Sequence, residues 1–139
     1  MIEGQYLDLS FEERLDIRVE AYLKMVERKT AALFEGAAWM GASLGTEDEE
    51  LVTALRGYGK ELGFAFQIRD DILDSYEDIR DGKPFSPNEV FFSGRDSARK
   101  KLFTYVNSAV KALDEKSIAS DELRYLALKL LEVRKHNGE

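Results

Sequence analysis

The chain has 139 residues, a length that fits one domain with a core of its own. It has no cysteine and one histidine, His136, which excludes disulfide frameworks, cysteine zinc sites and nucleophilic machinery built on a central histidine. A composition of 44% hydrophobic and 34% charged residues is that of a folded, helix-rich protein, and a net charge of -7 argues against a general nucleic-acid partner. No apolar run approaches the ~20 residues that span a bilayer. The start MIEGQYLDLS lacks a basic stretch followed by an apolar one. Neither a membrane span nor a signal peptide is expected, and the expected location is the cytoplasm.

Residues 17–44 read as a first helix, with Tyr22, Met25, Val26, Leu33, Gly36, Ala37, Met40 and Leu44 at the spacing of one face. Gly45 ends it, and Thr46 with Glu49 reads as a capping box for a second helix from about Glu47 to Tyr76. Leu51, Leu55, Tyr58, Leu62, Ala65, Phe66, Ile72 and Leu73 form its apolar side. Two long helices joined so tightly should pack antiparallel. Pro84 and Pro87 place the clear interruption at 81–94. Beyond it, 95–113 and 121–135 read as further helices, the latter with Ser120 as N-cap and Leu123, Leu126, Leu130 and Val133 as its stripe. No strand alternation or repeat is present. The expected fold is an all-α antiparallel bundle forming one domain over 1–139.

Two features of this pattern carry chemistry. On a helix, Gly63, Gln67, Asp70 and Asp74 fall within about 60° of one another, with Asp71 about 60° beyond and apolar side chains over most of the rest. Like charges four residues apart repel, so a positive group belongs there. Mg²⁺ suits the pattern, because it takes one or two carboxylates, waters and substrate phosphate oxygens; a solvated acidic edge paired with lysines is the other reading. The second feature is Lys29, about 20° from the centre of the first helix's apolar stripe. It either snorkels along the stripe to a carboxylate or, with the Thr30 hydroxyl, faces a phosphate that metal at the aspartates also holds.

Gly4-Gln5 with Asp8, Tyr22-Leu23-Lys24-Met25 leading to Lys29-Thr30-Ala31, Gly41-Ala42, and Phe66-Gln67 with Asp70-Asp71-Ile72-Leu73-Asp74 resemble, in order and spacing, the C-terminal half of the trans-prenyl diphosphate synthases. These are the farnesyl and geranylgeranyl diphosphate synthase family, and DDILD is similar to its second aspartate-rich motif. The resemblance implies an isoprenoid-synthase-type helical bundle, here in truncated form, and Mg²⁺-dependent condensation of an allylic diphosphate with isopentenyl diphosphate. Carried over residue by residue, it implies Asp70 as a direct metal ligand, with Asp71 and Asp74 holding metal-bound water. Lys29 would contact the allylic diphosphate, with Thr30 and Gln67 beside it. Gln5 and Asp8 would line the same cavity. Lys83, in Gly82-Lys83-Pro84, matches either of two family lysines; the short spacing from Asp74 favours the one that reaches the diphosphate.

The family's first aspartate-rich motif and its isopentenyl diphosphate site belong to an N-terminal half that this sequence does not contain. After Gly82-Lys83-Pro84 the match skips several helices, and 95–134 resembles the family's C-terminal helices. Full members are roughly twice this length. The expectation is therefore a half-length or shortened synthase that works with a second copy or a complementing N-terminal half. The alternative is a non-catalytic helical paralogue that binds diphosphates, or that dimerises with or regulates a complete synthase.

Overall fold

The computed structural model describes residues 21, 24–25, 27–82 and 94–133. Among these there is no strand. A π-helical turn, Glu27–Ala31, leads into α1 (Ala32–Gly45), followed by α2 (Glu49–Asp81), α3 (Arg95–Glu115) and α4 (Asp121–Lys129). The start of the expected first helix, with Tyr22, Leu23 and Val26, lies outside the described residues, as do Pro84, Pro87 and the end of the expected fourth helix.

α1 and α2 run antiparallel at very close range. A Cβ added to Gly59 would lie 2.6 Å from Phe34 O and 2.7 Å from Ala38 Cβ, and one added to Gly63 would lie 2.6 Å from Ala31 Cα. Glycine at these two positions, one helical turn apart, lets the backbones meet with no side chain between them. Arg56 and Glu35 pair at 2.7 Å on the flank, and the Phe34 and Phe66 rings lie 5.3 Å apart. α3 covers another side of α2: Tyr58, Leu62, Ala65 and Ile72 bury against Ala98, Leu102, Val106, Ala109 and Leu113. Phe64 stacks on Tyr105 with centroids 5.1 Å apart.

The short link between α1 and α2 is capped differently from the expected Thr46–Glu49 box. Asp48 Oδ1 accepts from the backbone N–H of Glu50 at 3.0 Å and of Leu51 at 3.4 Å, while Thr46 Oγ1 accepts from Asp48 N–H. A carboxylate one residue before the helix meets the positive end of the dipole as well as its orphan donors, and outcompetes the hydroxyl. α2 runs five residues past Tyr76 and closes at Gly82, whose φ of 67° suits glycine. In α4 the expected Ser120 cap is present, accepting from Leu123 N–H at 3.2 Å. The helix ends at Lys129, however, and its buried face runs through Ala127 and Leu130, leaving Leu126 exposed.

The larger correction concerns α1. Of the expected core stripe, Met25 before the π-turn is buried at 3%, but beyond the turn the stripe is solvent-facing: Leu33 is 50%, Met40 58% and Leu44 91% exposed. The packed side is Ala31, Phe34, Ala38 and Ala42. A π-turn closes its hydrogen bonds five residues on instead of four, so a phase counted at about 100° per residue from Tyr22 points elsewhere after Ala31. The glycine pair on α2 then selects the small-residue side of α1. Leu33, Ala37, Met40 and Leu44 remain as an uncovered apolar face.

Candidate functional site: the π-turn and the aspartates of α2

The π-turn puts Lys29 and Thr30 directly before the close approach of Ala31 to Gly63, which brings them beside the middle of α2. Thr30 is buried, and its Oγ1 donates to Gln67 Oε1 at 2.8 Å. Gln67 Nε2 in turn donates to Asp71 Oδ1 at 2.9 Å. Both ends of the Gln67 amide are thereby committed, which fixes its orientation. Asp71 is only 4% exposed; a buried carboxylate needs such donors to stay in place.

The three aspartates thus occupy three environments. Asp71 is turned into the Thr30–Gln67 chain. Asp70 is part-buried; burial pushes its carboxyl above the usual range, with the nearby Arg69 and Lys29 charges pulling it back. Asp74, one turn on, is exposed. Lys29 is near enough to α2 for its charge, after that of Arg69, to pull the Asp70 carboxyl down. Among the described residues no three carboxylate or imidazole groups converge closely enough to hold a metal by themselves. Two carboxylates one turn apart, with one of them near a lysine, fit an Mg²⁺ that completes its shell with water and substrate oxygens. Gln5, Asp8 and Lys83 lie outside the described residues.

A second group of side chains has no warning in the sequence. Arg95, the first residue of α3, donates through Nε to Ser75 Oγ at 3.2 Å and through Nη2 to Ser75 O at 3.3 Å. Its guanidinium lies 4.2 Å from the Tyr76 ring centroid, and Arg99 Nη2 donates to the Tyr76 hydroxyl at 2.5 Å. An arginine at a helix N-terminus opposes the dipole, and the contacts to Ser75 and Tyr76 offset that cost. Two guanidinium groups are thereby anchored immediately after Asp74. Only the pairing of α2 with α3 reveals this, because twenty residues separate Arg95 from Ser75.

Against this geometry, the sequence profile described as Polyprenyl synthetase matches residues 1–123. A short chain isoprenyl diphosphate synthase of Methanothermobacter thermautotrophicus is 42% identical over 115 residues, covering 82% of this chain and 33% of that protein. A geranylfarnesyl diphosphate synthase of Natronomonas pharaonis is 56% identical over 72 residues, 52% of this chain and 21% of its own length. In structure, the geranylgeranyl pyrophosphate synthetase of Pyrococcus horikoshii superposes with a TM-score of 0.78 at 29% identity, covering 96% of this chain and 55% of that one. The chain spans a third or less of these two curated relatives and about half of the solved one.

Proposed function

This chain belongs to the polyprenyl synthetase family, and from that premise we propose that residues 1–139 form a single helical domain carrying the second-aspartate half of a site that condenses an allylic diphosphate with isopentenyl diphosphate. The observation that carries the reading is the placement of Lys29 where its charge acts on Asp70, beside the Thr30–Gln67–Asp71 chain. Mg²⁺, when bound, would neutralise the diphosphate leaving group as the allylic bond ionises. Asp70 and Asp74 would hold it from one side, Asp70 directly and Asp74 through water. The ammonium of Lys29 would bind the allylic diphosphate and relieve the repulsion between phosphate oxygens and the Asp70 carboxylate. Gln67, with its amide orientation fixed, presents a constant polar wall to the substrate, and the buried Thr30 hydroxyl braces it. Asp71, in this reading, steadies Gln67 and reaches metal only through water. Lys83 would add a second cation at the diphosphate, and Gln5 and Asp8 would line the cavity.

Ionisation develops charge that one carboxylate pair and one or two lysines neutralise only in part. The uncovered face Leu33, Ala37, Met40 and Leu44 offers a surface on which a complementing N-terminal half or a second copy would pack. No described helix is long and apolar enough to cross a membrane, and a cytoplasmic setting belongs to this proposal. A second reading is a non-catalytic paralogue that binds diphosphates and pairs with a complete synthase, for which the exposed Leu33, Met40 and Leu44 would supply the pairing surface.

The test is thermal unfolding with pyrophosphate, with and without Mg²⁺. Stabilisation should need both, reaching about 2.7 kcal/mol at a hundredfold excess over Kd, and Asp70→Asn and Lys29→Ala should each remove most of it. A shift that survives in both variants would place the diphosphate elsewhere.

A further inference from the structure

Past Ser75 no described residue of α2 is buried: Tyr76 is half-buried, and Glu77, Ile79, Arg80 and Asp81 are exposed. Ser75 is therefore the last described position at which this 33-residue helix is packed into the rest of the molecule. Helix segments with few buried contacts open locally at low cost. Asp74 is exposed and stands one residue before that boundary. How steadily its carboxylate is held depends on what fastens Ser75.

The fastening is Arg95. Its planar fork grips a side chain and a main chain at one residue, Nε on Ser75 Oγ at 3.2 Å and Nη2 on Ser75 O at 3.3 Å. Ser75 Oγ in turn donates to Ile72 O at 2.6 Å, and both residues are fully buried. The Tyr76 ring lies 4.2 Å from the same guanidinium, and its hydroxyl accepts from Arg99. Ser75 and Tyr76 are about 100° apart around the axis, so contacts at both resist a roll of the turn as well as a slide. Asp74 lies about 100° from Ser75 and about 160° from Tyr76, on the other side of the same turn. A cation in the first turn of α3 conflicts with the helix dipole, and the conflict is resolved only by these contacts across to α2. The fold does not depend on them, because Ile68, Ile72, Ala98 and Leu102 already bury the apolar faces of the two helices.

We propose that Arg95 is a positioning residue: by clamping Ser75 and Tyr76 against the start of α3 it sets the place of Asp74, and so how well Asp74 serves a metal shared with Asp70. The inference rests on the reading of Asp70 and Asp74 as the metal-holding pair. Groups that orient a metal-holding side chain typically account for 10–100-fold in metal affinity, and the lower end applies to a clamp one residue removed.

The test is a double-variant cycle on the apparent Kd of the full chain for labelled pyrophosphate at fixed free Mg²⁺, measured by equilibrium dialysis. Arg95→Met keeps the aliphatic stem and removes the fork; circular dichroism verifies that it folds. It should weaken binding about tenfold in the parent chain. In an Asp74→Asn chain, which binds more weakly from the outset, the same change should cost no more than about twofold, because Arg95 acts through the carboxylate already lost. Ser75→Ala removes the Oγ half of the clamp and leaves Arg95 in place. It should weaken binding several-fold in the parent and hardly at all beside Asp74→Asn, and it carries the cycle alone if Arg95→Met does not fold. Equal weakening in both backgrounds would mean that Arg95 acts by its own charge or by general stability, and would overturn the proposal; so would undiminished binding in the parent background. If the parent chain binds no pyrophosphate with Mg²⁺, or if Asp74→Asn binds as well as the parent, the reading of the aspartates itself fails and the positioning role falls with it.

Discussion

Gln67 and Asp71 sit one turn apart on α2 and are joined side chain to side chain, Nε2 to Oδ1 at 2.9 Å, with Thr30 of the π-turn closing the other end of the amide. This bond divides the acidic motif. Asp71 faces inward to a neighbour, whereas Asp70 is part-buried and Asp74 is left toward solvent. Asp71→Ala should therefore act mainly on stability, costing about 1.5–3 kcal/mol for a lost charge-assisted bond at a buried position. Asp71→Asn, whose amide oxygen still accepts, should cost less. Urea unfolding measures both. If Asp71→Asn removes the Mg²⁺-dependent thermal shift as fully as Asp70→Asn does, Asp71 is a metal carrier and the division fails.

The approach of α1 to α2 predicts opposite signs for two glycines on one helix. Gly63→Ala forces a Cβ to within 2.6 Å of Ala31 Cα, a backbone atom that cannot rotate away. It should destabilise by about 1–3 kcal/mol despite alanine's better helix propensity. Gly57, with nothing within 4 Å of its added Cβ, should gain about 0.5–1 kcal/mol on the same change. Equal effects at the two positions would mean that the helices are further apart than described.

Asp70 links the site to pH. Burial raises its carboxyl above the ordinary value, and a group whose pKa rises on folding costs stability once it ionises. The unliganded protein therefore loses this contribution as pH climbs from the ordinary carboxylate range through the raised value. Metal binding needs the ionised form, so the Mg²⁺-pyrophosphate shift should fade on acidification at a pH above that range. Asp70→Asn should raise the Tm of the unliganded protein at neutral pH, by a few degrees at most because the group is part-exposed. A fall in Tm at neutral pH would show that Asp70 is held by favourable pairing and not strained by burial.

Turnover separates a half-site from a complete enzyme. The 139-residue chain with labelled isopentenyl diphosphate, an allylic primer and Mg²⁺ should elongate at no useful rate. Adding an N-terminal half with a first aspartate motif should restore elongation, and Asp70→Asn should abolish it again. Charging the uncovered face, as in Met40→Glu, should block complementation while leaving pyrophosphate binding intact. Robust elongation by the chain alone would show that one half-site suffices or is doubled by a second copy.

The sequence by itself determined where the helices lie and which residue types the motif brings together. Apolar spacing and the absence of proline on either side of 81–94 are local properties, and over the described residues they located the α-helices to within a few residues, apart from the late end of the fourth. The same local logic placed Lys29 among apolar neighbours and required a partner for its charge, a carboxylate or a phosphate. Tertiary structure decided which face of each helix is inside. The π-turn at Glu27–Ala31 shifts the helical phase in a way no count at 100° per residue can register. The Gly59–Gly63 contact then rewards Ala31 and Ala38 over the larger Leu33 and Met40, because backbone approach depends on the absence of a side chain and not on hydrophobicity. The roles of the three aspartates parted for a similar reason. Helical spacing sets Asp71 about 60° beyond the other two and one turn from Gln67, but it takes Thr30, 37 residues before Gln67, to orient the amide that holds Asp71 inward. The anchoring of Arg95 on Ser75 and Tyr76 depends likewise on a pairing of two helices across the interruption, which no local pattern encodes.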